Sequence, residues 1–380
     1  NMIAVADTFT LLAIPFFILA GELMNAGGLS RRIIDFAIAC VGHIRGGLGI
    51  VAIMAAVIMA SISGSAAADT AALAAILIPM MAKAGYNVPR SAGLIAAGGV
   101  IAPVIPPSMA FIVFGVSANV SITQLFMAGI VPGLLMGIAL IVTWLIVVRK
   151  DKVEALPRAP MKERIRATGR ALWALGMPVI ILGGIKAGVV TPTEAAVVAA
   201  AYALFVGMFI YRELSPKQLP HVILQAAKTT AVIMFLVCAA LVSAWLITAA
   251  NIPAEITGYI EPLIDRPTLL MFVIMLVVLV VGTALDLTPT ILILTPVLMP
   301  IIKQAGIDPV YFGVLFIMNT CIGLLTPPVG VVLNVVSGVG RVPLGKVTVG
   351  VAPFLVAQVI VLFTLVLFPD LVLVPARWLH

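Results

Sequence analysis

The sequence predicts an all-α polytopic membrane protein of about ten membrane segments, two of them re-entrant helical hairpins, built from inverted repeats. Three observations carry this expectation. Of 380 residues, 63% are hydrophobic and only 10% charged, against roughly 25% charged in an ordinary soluble domain. The apolar residues gather in runs near the roughly 20 needed to cross a bilayer, not in the short alternating segments of an outer-membrane barrel. Prolines and glycines then recur at one fixed offset of 221 positions. A cytosolic or secreted enzyme is excluded. The formal charge of +7 sits in short polar loops, where it orients a membrane protein and does not signal nucleic acid.

From the N-terminus, Phe9–Met24 is an apolar span, and the arginine-bearing stretch Ser30–His43 suits the membrane surface. The chain opens on Asn1 directly before this span, so a further piece upstream is expected. Gly47–Ala60 and the run that ends at Met81 are about 14 and 12 residues long and flank the small-residue break Ser61–Thr70. Arms that short, around such a break, read as a re-entrant hairpin. Ala92–Ala118 follows, interrupted by Pro103, Pro106 and Pro107, and then Leu125–Val148. Arg149–Arg170 is the one long polar loop, with eight Lys and Arg against Asp151, Glu154 and Glu163. Three spans come next, Trp173–Val190, Ala195–Tyr211 and Val222–Ala250, before a polar connection, Asn251–Arg266. Phe272–Thr283 and Ile291–Ile302 form a second pair of short arms around Ala284–Thr290. Val310–Val339, broken at Pro327 and Pro328, and Val347–Phe368 complete the set.

At the 221 offset, Pro79 falls on Pro300, Gly85 on Gly306, and Pro106-Pro107 on Pro327-Pro328; Gly129 and Pro132 then fall on Gly350 and Pro353. Loop charge sets the orientation. The Arg149–Arg170 loop is expected in the cytoplasm, which puts the uncharged Asn119–Thr123 in the periplasm. The mates of that loop, Gly340–Leu344, carry Arg341 with Lys346 beyond, and read as cytoplasmic. The first hairpin then enters from the cytoplasm, near Arg31, Arg32, Arg45, Lys83 and Arg90. The second enters from the periplasm, where Glu255, Glu261 and Asp265 dominate. Inverted repeats with broken helices at mid-membrane are the mark of secondary transporters.

Asp69 and Asp286 are the acids most deeply embedded in apolar sequence. An aspartate at a helix centre costs about 2.5–3.5 kcal/mol to insert, so each needs a compensating role. Two readings stay open: an N-terminal helix cap, or a sodium site of carboxylate, small hydroxyls and freed carbonyls, since a hard cation wants oxygen. Under the offset, Ser65 overlays Asp286 and Asp69 overlays Thr290, so each tip offers a carboxylate and a hydroxyl in opposite order. The Pro-Pro breaks remove backbone donors, and the choice there is a plain kink or carbonyls lining a cavity. Ser108, Ser117, Asn119, Asn319, Thr326 and Asn334 are the polar side chains near the breaks, candidates for facing a hydrated substrate. Thr191–Glu194 reads as a helix cap, and Glu22 has no evident partner. Gly340–Val347 narrowly misses a P-loop, because Val347 follows Lys346; no nucleotide is expected. Cys40, Cys238 and Cys321 read as core hydrophobes, His43, His221 and His380 are solitary, and Ser63 and Ser65 lack a base, so no enzyme and no transition-metal site is expected.

These motifs together resemble the large membrane subunit of tripartite ATP-independent periplasmic (TRAP) transporters, the family of dicarboxylate, sialic acid and sugar-acid permeases. The likeness runs through Leu11–Asn25, Ser63–Ala71, Ile101–Ser108, Thr191–Ala195, Asp286–Thr290 and Leu325–Pro328. It implies an elevator-type transporter in the bacterial inner membrane, driven by sodium ions as the coupling ions. It also implies a small four-helix membrane subunit, a periplasmic substrate-binding protein and a carboxylate substrate as partners, with the lipid bilayer around it. By the same resemblance one sodium site takes Ser63, Ser65 and Asp69 with carbonyls near Gly99 and Pro103. The other takes Asp286 and Thr290 with carbonyls near Gly323 and Thr326. The implied domains are a scaffold helix and surface arm (1–45), a first transport repeat (46–148), a basic cytoplasmic loop (149–172), scaffold helices with a periplasmic connection (173–268), a second transport repeat (269–369) and a C-terminal tail (370–380). The competing expectation is a standalone sodium-coupled carboxylate transporter that needs no binding protein.

Overall fold

The computed structural model describes residues 9–151, 153, 155–250 and 263–379. Most of the acidic connection, including Glu255 and Glu261, lies outside the described residues, as do Glu154 and His380. Among the described residues the chain forms sixteen α-helices and no strand.

After a 3-10 turn at Phe9–Leu12, α1 (Ala13–Ala26) bends by 62° into α2 (Leu29–Val41). Gly28, at φ +72°, makes the elbow, a conformation that favours glycine. Along α2, Leu29, Ile33, Ile34 and Ala37 are buried while Arg31 and Asp35 are exposed, the amphipathic pattern of a surface arm.

The first hairpin is α3 (Gly47–Ser63) and α4 (Ala66–Lys83), turning at Gly64 with φ +60°. Its arms, 17 and 18 residues long, exceed the apolar runs because Ser61, Ser63 and Ala66–Asp69 continue the helices to the turn. At about 1.5 Å per residue they reach about 26 Å, still short of a 30 Å hydrocarbon core. Next come α5 (Val88–Gly99) and α6 (Met109–Ala118), two halves of a broken helix, and α7 (Ile122–Val147). Three longer elements follow: α8 (Met161–Lys186), α9 (Pro192–Phe205) with its π-turn continuation Val206–Ile210, and α10 (Leu219–Ala249). The second hairpin is α11 (Pro267–Gly282) and α12 (Leu287–Gln304), the second broken helix α13 (Pro309–Gly323) and α14 (Val331–Gly340), and the last long span α15 (Leu344–Leu367).

Two boundaries differ from the sequence reading. The second part of the basic loop is helix: α8 begins at Met161, because Lys, Glu, Arg and Ala are strong helix formers even where they are too polar to look like a span. The C-terminal tail is also a helix, α16 (Asp370–Leu379), which buries Val372 and packs on α7.

The offset of 221 carries the bounds of α4 onto those of α12, and the starts of the other four repeat helices agree within one residue. The repeats are packed reciprocally. α4 lies on α14 and its mate α12 lies on α6; α15 lies on α5 and α7 on α13. In the α5–α15 contact a Cβ on Gly93 would stand within 2.4 Å of Gly350 backbone, so two backbones meet where only glycine fits. Phe111, Phe114, Phe312 and Phe316 fill the centre between the repeats.

Candidate functional site

At the first hairpin, Ser65 is the N-cap of α4: its hydroxyl accepts from the Ala68 N–H at 3.4 Å. Asp69, one turn on, therefore does not cap. Its carboxylate is fully buried and accepts from the Ser63 hydroxyl at 2.5 Å through Oδ1, while Oδ2 has no partner. Beside it the buried Thr70 hydroxyl is also without a partner. A Cβ on Gly99 would fall 1.7 Å from Thr70 Oγ1, so the end of α5 is pressed against this oxygen. The tip glycine, Gly64, closes the other side: a Cβ there would be 3.1 Å from the Pro107 carbonyl. Asp69 Oδ1 and Oδ2 and Ser63 Oγ thus share one corner of the tip with Oδ2 unsatisfied, and the unpartnered Thr70 hydroxyl, next along α4, is turned toward Gly99. A buried carboxylate with no cation beside it among the described residues is costly while charged, and the donors around it are all oxygen, the kind a hard cation takes.

The second tip is built differently. Asp286 is the N-cap of α12, accepting from Leu287 N–H at 2.8 Å, and is exposed together with Ala284 and Leu285. Thr290 is buried and its hydroxyl donates to the Asp286 carbonyl at 2.8 Å. The break beside it is also open, with Pro327, Pro328 and Val329 exposed where Pro106 and Pro107 are buried. Thr326 donates to the Ile322 carbonyl at 3.2 Å. Gly323 touches the Gly282 backbone, and Val329 N–H reaches the Thr283 carbonyl at 3.3 Å, which ties the break to the hairpin.

The whole set of elements matches a known protein family. A family model described as the tripartite ATP-independent periplasmic transporter, DctM component, covers residues 1–371. The chain belongs to this family. It is 56% identical to the 2,3-diketo-L-gulonate TRAP transporter large permease protein YiaN of Escherichia coli, over 99% of this chain and 88% of that protein. It is 42% identical to the sialic acid TRAP transporter large permease protein SiaM of Vibrio cholerae, over 98% and 87%. Against the C4-dicarboxylate TRAP transporter large permease protein DctM of Pseudomonas aeruginosa it is 41% identical, over 98% and 88%. Its fold is similar to that of the YdaH transporter of Alcanivorax borkumensis, with a TM-score of 0.67 at 14% identity, over 96% of this chain and 86% of that one.

In this DctM-family chain the remaining candidates divide. Ser108 is buried, caps α6 and donates to the Pro103 carbonyl at 2.6 Å; the Gly99 carbonyl accepts from Ala102 N–H at 3.2 Å. The Gly99 and Pro103 carbonyls thus each accept one hydrogen bond at the break, the first in a tight turn and the second from Ser108. Asn319 is buried as well, donating to the Met275 carbonyl at 2.6 Å, with its Oδ1 unpartnered. Asn334 is exposed near the second break and donates to the Val329 carbonyl. Ser117 and Asn119 stand at the far end of α6, Asn119 as its left-handed C-cap, so they are not brought to the break. Thr191 and Glu194 form the expected capping box. Ser63, expected to lack a base, has one acceptor in Asp69, but no histidine among the described residues joins the pair. Sequence reading passed over Thr70, although it directly follows the buried acid. Glu22 is half-buried next to Gly21, which lies against Ser63, so it sits at the level of the first tip.

Proposed function

We propose that the chain is the membrane permease of a sodium-coupled secondary uptake system for a small organic carboxylate (a C4-dicarboxylate, a sialic acid or another sugar acid). A periplasmic binding protein delivers the substrate, and a small four-helix subunit completes the membrane part in the bacterial inner membrane. The two hairpin-bearing repeats move as an elevator against α1, α8, α9 and α10. The names of its relatives support the substrate class. The observation that carries the sodium reading is the buried Asp69 carboxylate with its unpartnered Oδ2, followed in sequence by the buried and likewise unpartnered Thr70 hydroxyl. Asp69, Thr70, Ser63 and Ser65 hold one ion; Asp286, Thr290 and Thr326 hold a second when the exposed tip folds over it. Each charge crossing 100 mV gains about 2.3 kcal/mol, so two sodium ions gain about 4–5 kcal/mol, from which every negative charge on the carboxylate substrate subtracts about 2.3 kcal/mol, while the chemical sodium gradient adds to the total.

The test is sodium-dependent uptake in liposomes at fixed membrane potential, with the small subunit present. Uptake is expected only with binding protein added. Asp69→Asn is expected to abolish it or to raise the half-maximal sodium concentration at least tenfold. Thr70→Val and Thr290→Val shift it less, and Asp286→Asn in the same direction. An unchanged sodium dependence in both asparagine variants refutes the ion sites. Robust uptake without binding protein means a standalone transporter.

A further inference from the structure

Where the basic stretch begins, the chain does not simply hang in solvent. Val153 and Leu156 pack onto the core, Leu156 against Gly42, and the Arg164 guanidinium meets His43 Nδ1 at 3.2 Å. The segment is thereby folded back over α2, and between it, α2 and the start of α8 lies a cleft of about 1070 Å³. Five cations line it: Arg32, Arg158, Lys162, Arg166 and Arg170, against Asp35 and Glu163. Arg32 is engaged, stacked 3.7 Å over Tyr211 and paired with Glu213 at 2.9 Å. Among the described residues no carboxylate lies within 4.0 Å of the other four.

Lys162, Arg166 and Arg170 recur every fourth residue, so they form one stripe along the first turns of α8. Like charges at this spacing repel, and neither Glu163 nor Asp35 comes within ion-pair distance of the stripe among the described residues. At Trp173 the same helix turns apolar, and its outward side chains Leu172, Trp173, Val179 and Ile180 are exposed. Cations, then an interfacial tryptophan, then an exposed apolar face is the order of chemistry a phospholipid presents from headgroup to acyl chain.

We infer that this cleft is a binding site for an anionic phospholipid of the inner leaflet, whose phosphate sits among Arg158, Lys162, Arg166 and Arg170 while its chains run down the exposed face of α8. The site is independent of the transport reading. A soluble anion would use the cations alone, and a solvated charged face would need neither the folded-back wall nor the apolar continuation.

Native mass spectrometry of the full chain in neutral detergent tests this, with phosphatidylglycerol as probe and phosphatidylcholine and inorganic phosphate as comparisons. Phosphatidylglycerol is expected to bind at least tenfold more tightly than phosphatidylcholine. Arg166→Gln and Arg158→Gln singly, which leave the loop's positive charge to fix topology, are expected to weaken it about fivefold each, the factor carried by one charge near a headgroup. Lys83→Gln, outside the cleft, is expected to change nothing. Equal loss in Lys83→Gln means diffuse charge attraction and overturns the site. Displacement by inorganic phosphate at the same concentration as lipid means a soluble-anion site and overturns it too. Unchanged phosphatidylglycerol binding in the arginine variants, with loss of the small subunit instead, makes the cleft a protein interface and likewise refutes the inference.

Discussion

The two hairpins share one sequence plan and end in different states. Ser65 and Asp286 occupy the same repeat position, and both are N-caps; Asp69 and Thr290 occupy the next, and both are buried. In the first hairpin α3 and α4 run against each other and the tip is shut down on Pro107 and Ser108. In the second, α11 leans on α13 while α12 lies on α10 and α6, so the arms barely meet and the tip is exposed. The comparison teaches that the carboxylate in the cap position is satisfied by backbone and water, whereas the one a turn further in is satisfied by neither. Burial therefore leaves the Asp69 charge without a partner, a need that Asp286, exposed at its tip, does not have.

The comparison breaks most completely at the level of topology. Asn119 and Arg341 are the left-handed C-caps of α6 and α14, so they mark equivalent ends of the two repeats. Single cysteines there, in a background without the native three, are expected to react from opposite sides of the membrane, periplasmic at 119 and cytoplasmic at 341. Same-side labelling would make the hairpins parallel copies, not inverted mates. A smaller but still severe effect is expected from Gly99→Ala, whose new methyl meets Thr70 Oγ1 and, at 3.2 Å, the Ala66 carbonyl. Overpacking of this kind costs about 1–3 kcal/mol, a loss of several degrees in thermal unfolding. Gly338→Ala, inside α14 with nothing within 4 Å, should not destabilise and should gain up to about 1 kcal/mol from helix propensity. If both variants melt like the parent, the first tip is not held shut by α5. The finest distinction concerns the caps. Ser65→Ala and Asp286→Ala should each cost about 1 kcal/mol in detergent unfolding, and Asp286→Asn almost nothing. A large penalty for Asp286→Asn without sodium would show that its charge already has a structural partner.

Much of this was legible. Apolar runs located the spans, and the proline and glycine register located the repeat helices, because breaks and tight contacts demand those residues wherever they fall. Thr191 to Glu194 announced its own cap. The start of α8 was hidden, since Lys162 to Arg170 forms helix through local propensity while hydropathy reports only polarity. The choice between cap and ion site was undecidable for Asp69 and Asp286 alike. It turns on which residue supplies the cap, Ser65 or the acid itself, and on how tightly the tip is covered, and local periodicity carries neither. Thr70 was missed for the same reason: its weight comes from Gly99, brought in by another helix.

The reciprocal packing of the repeats has a consequence for biosynthesis. The face of α4 is covered by α14 and that of α5 by α15, so the first half of the chain emerges from the ribosome with its partners still about 245 residues or more from being made. At about 5–20 residues per second that is a wait of about 12–50 s. During it the buried acid at position 69 and the broken helix behind it must be sheltered by lipid, water or the insertion machinery, until translation of the second half delivers their cover.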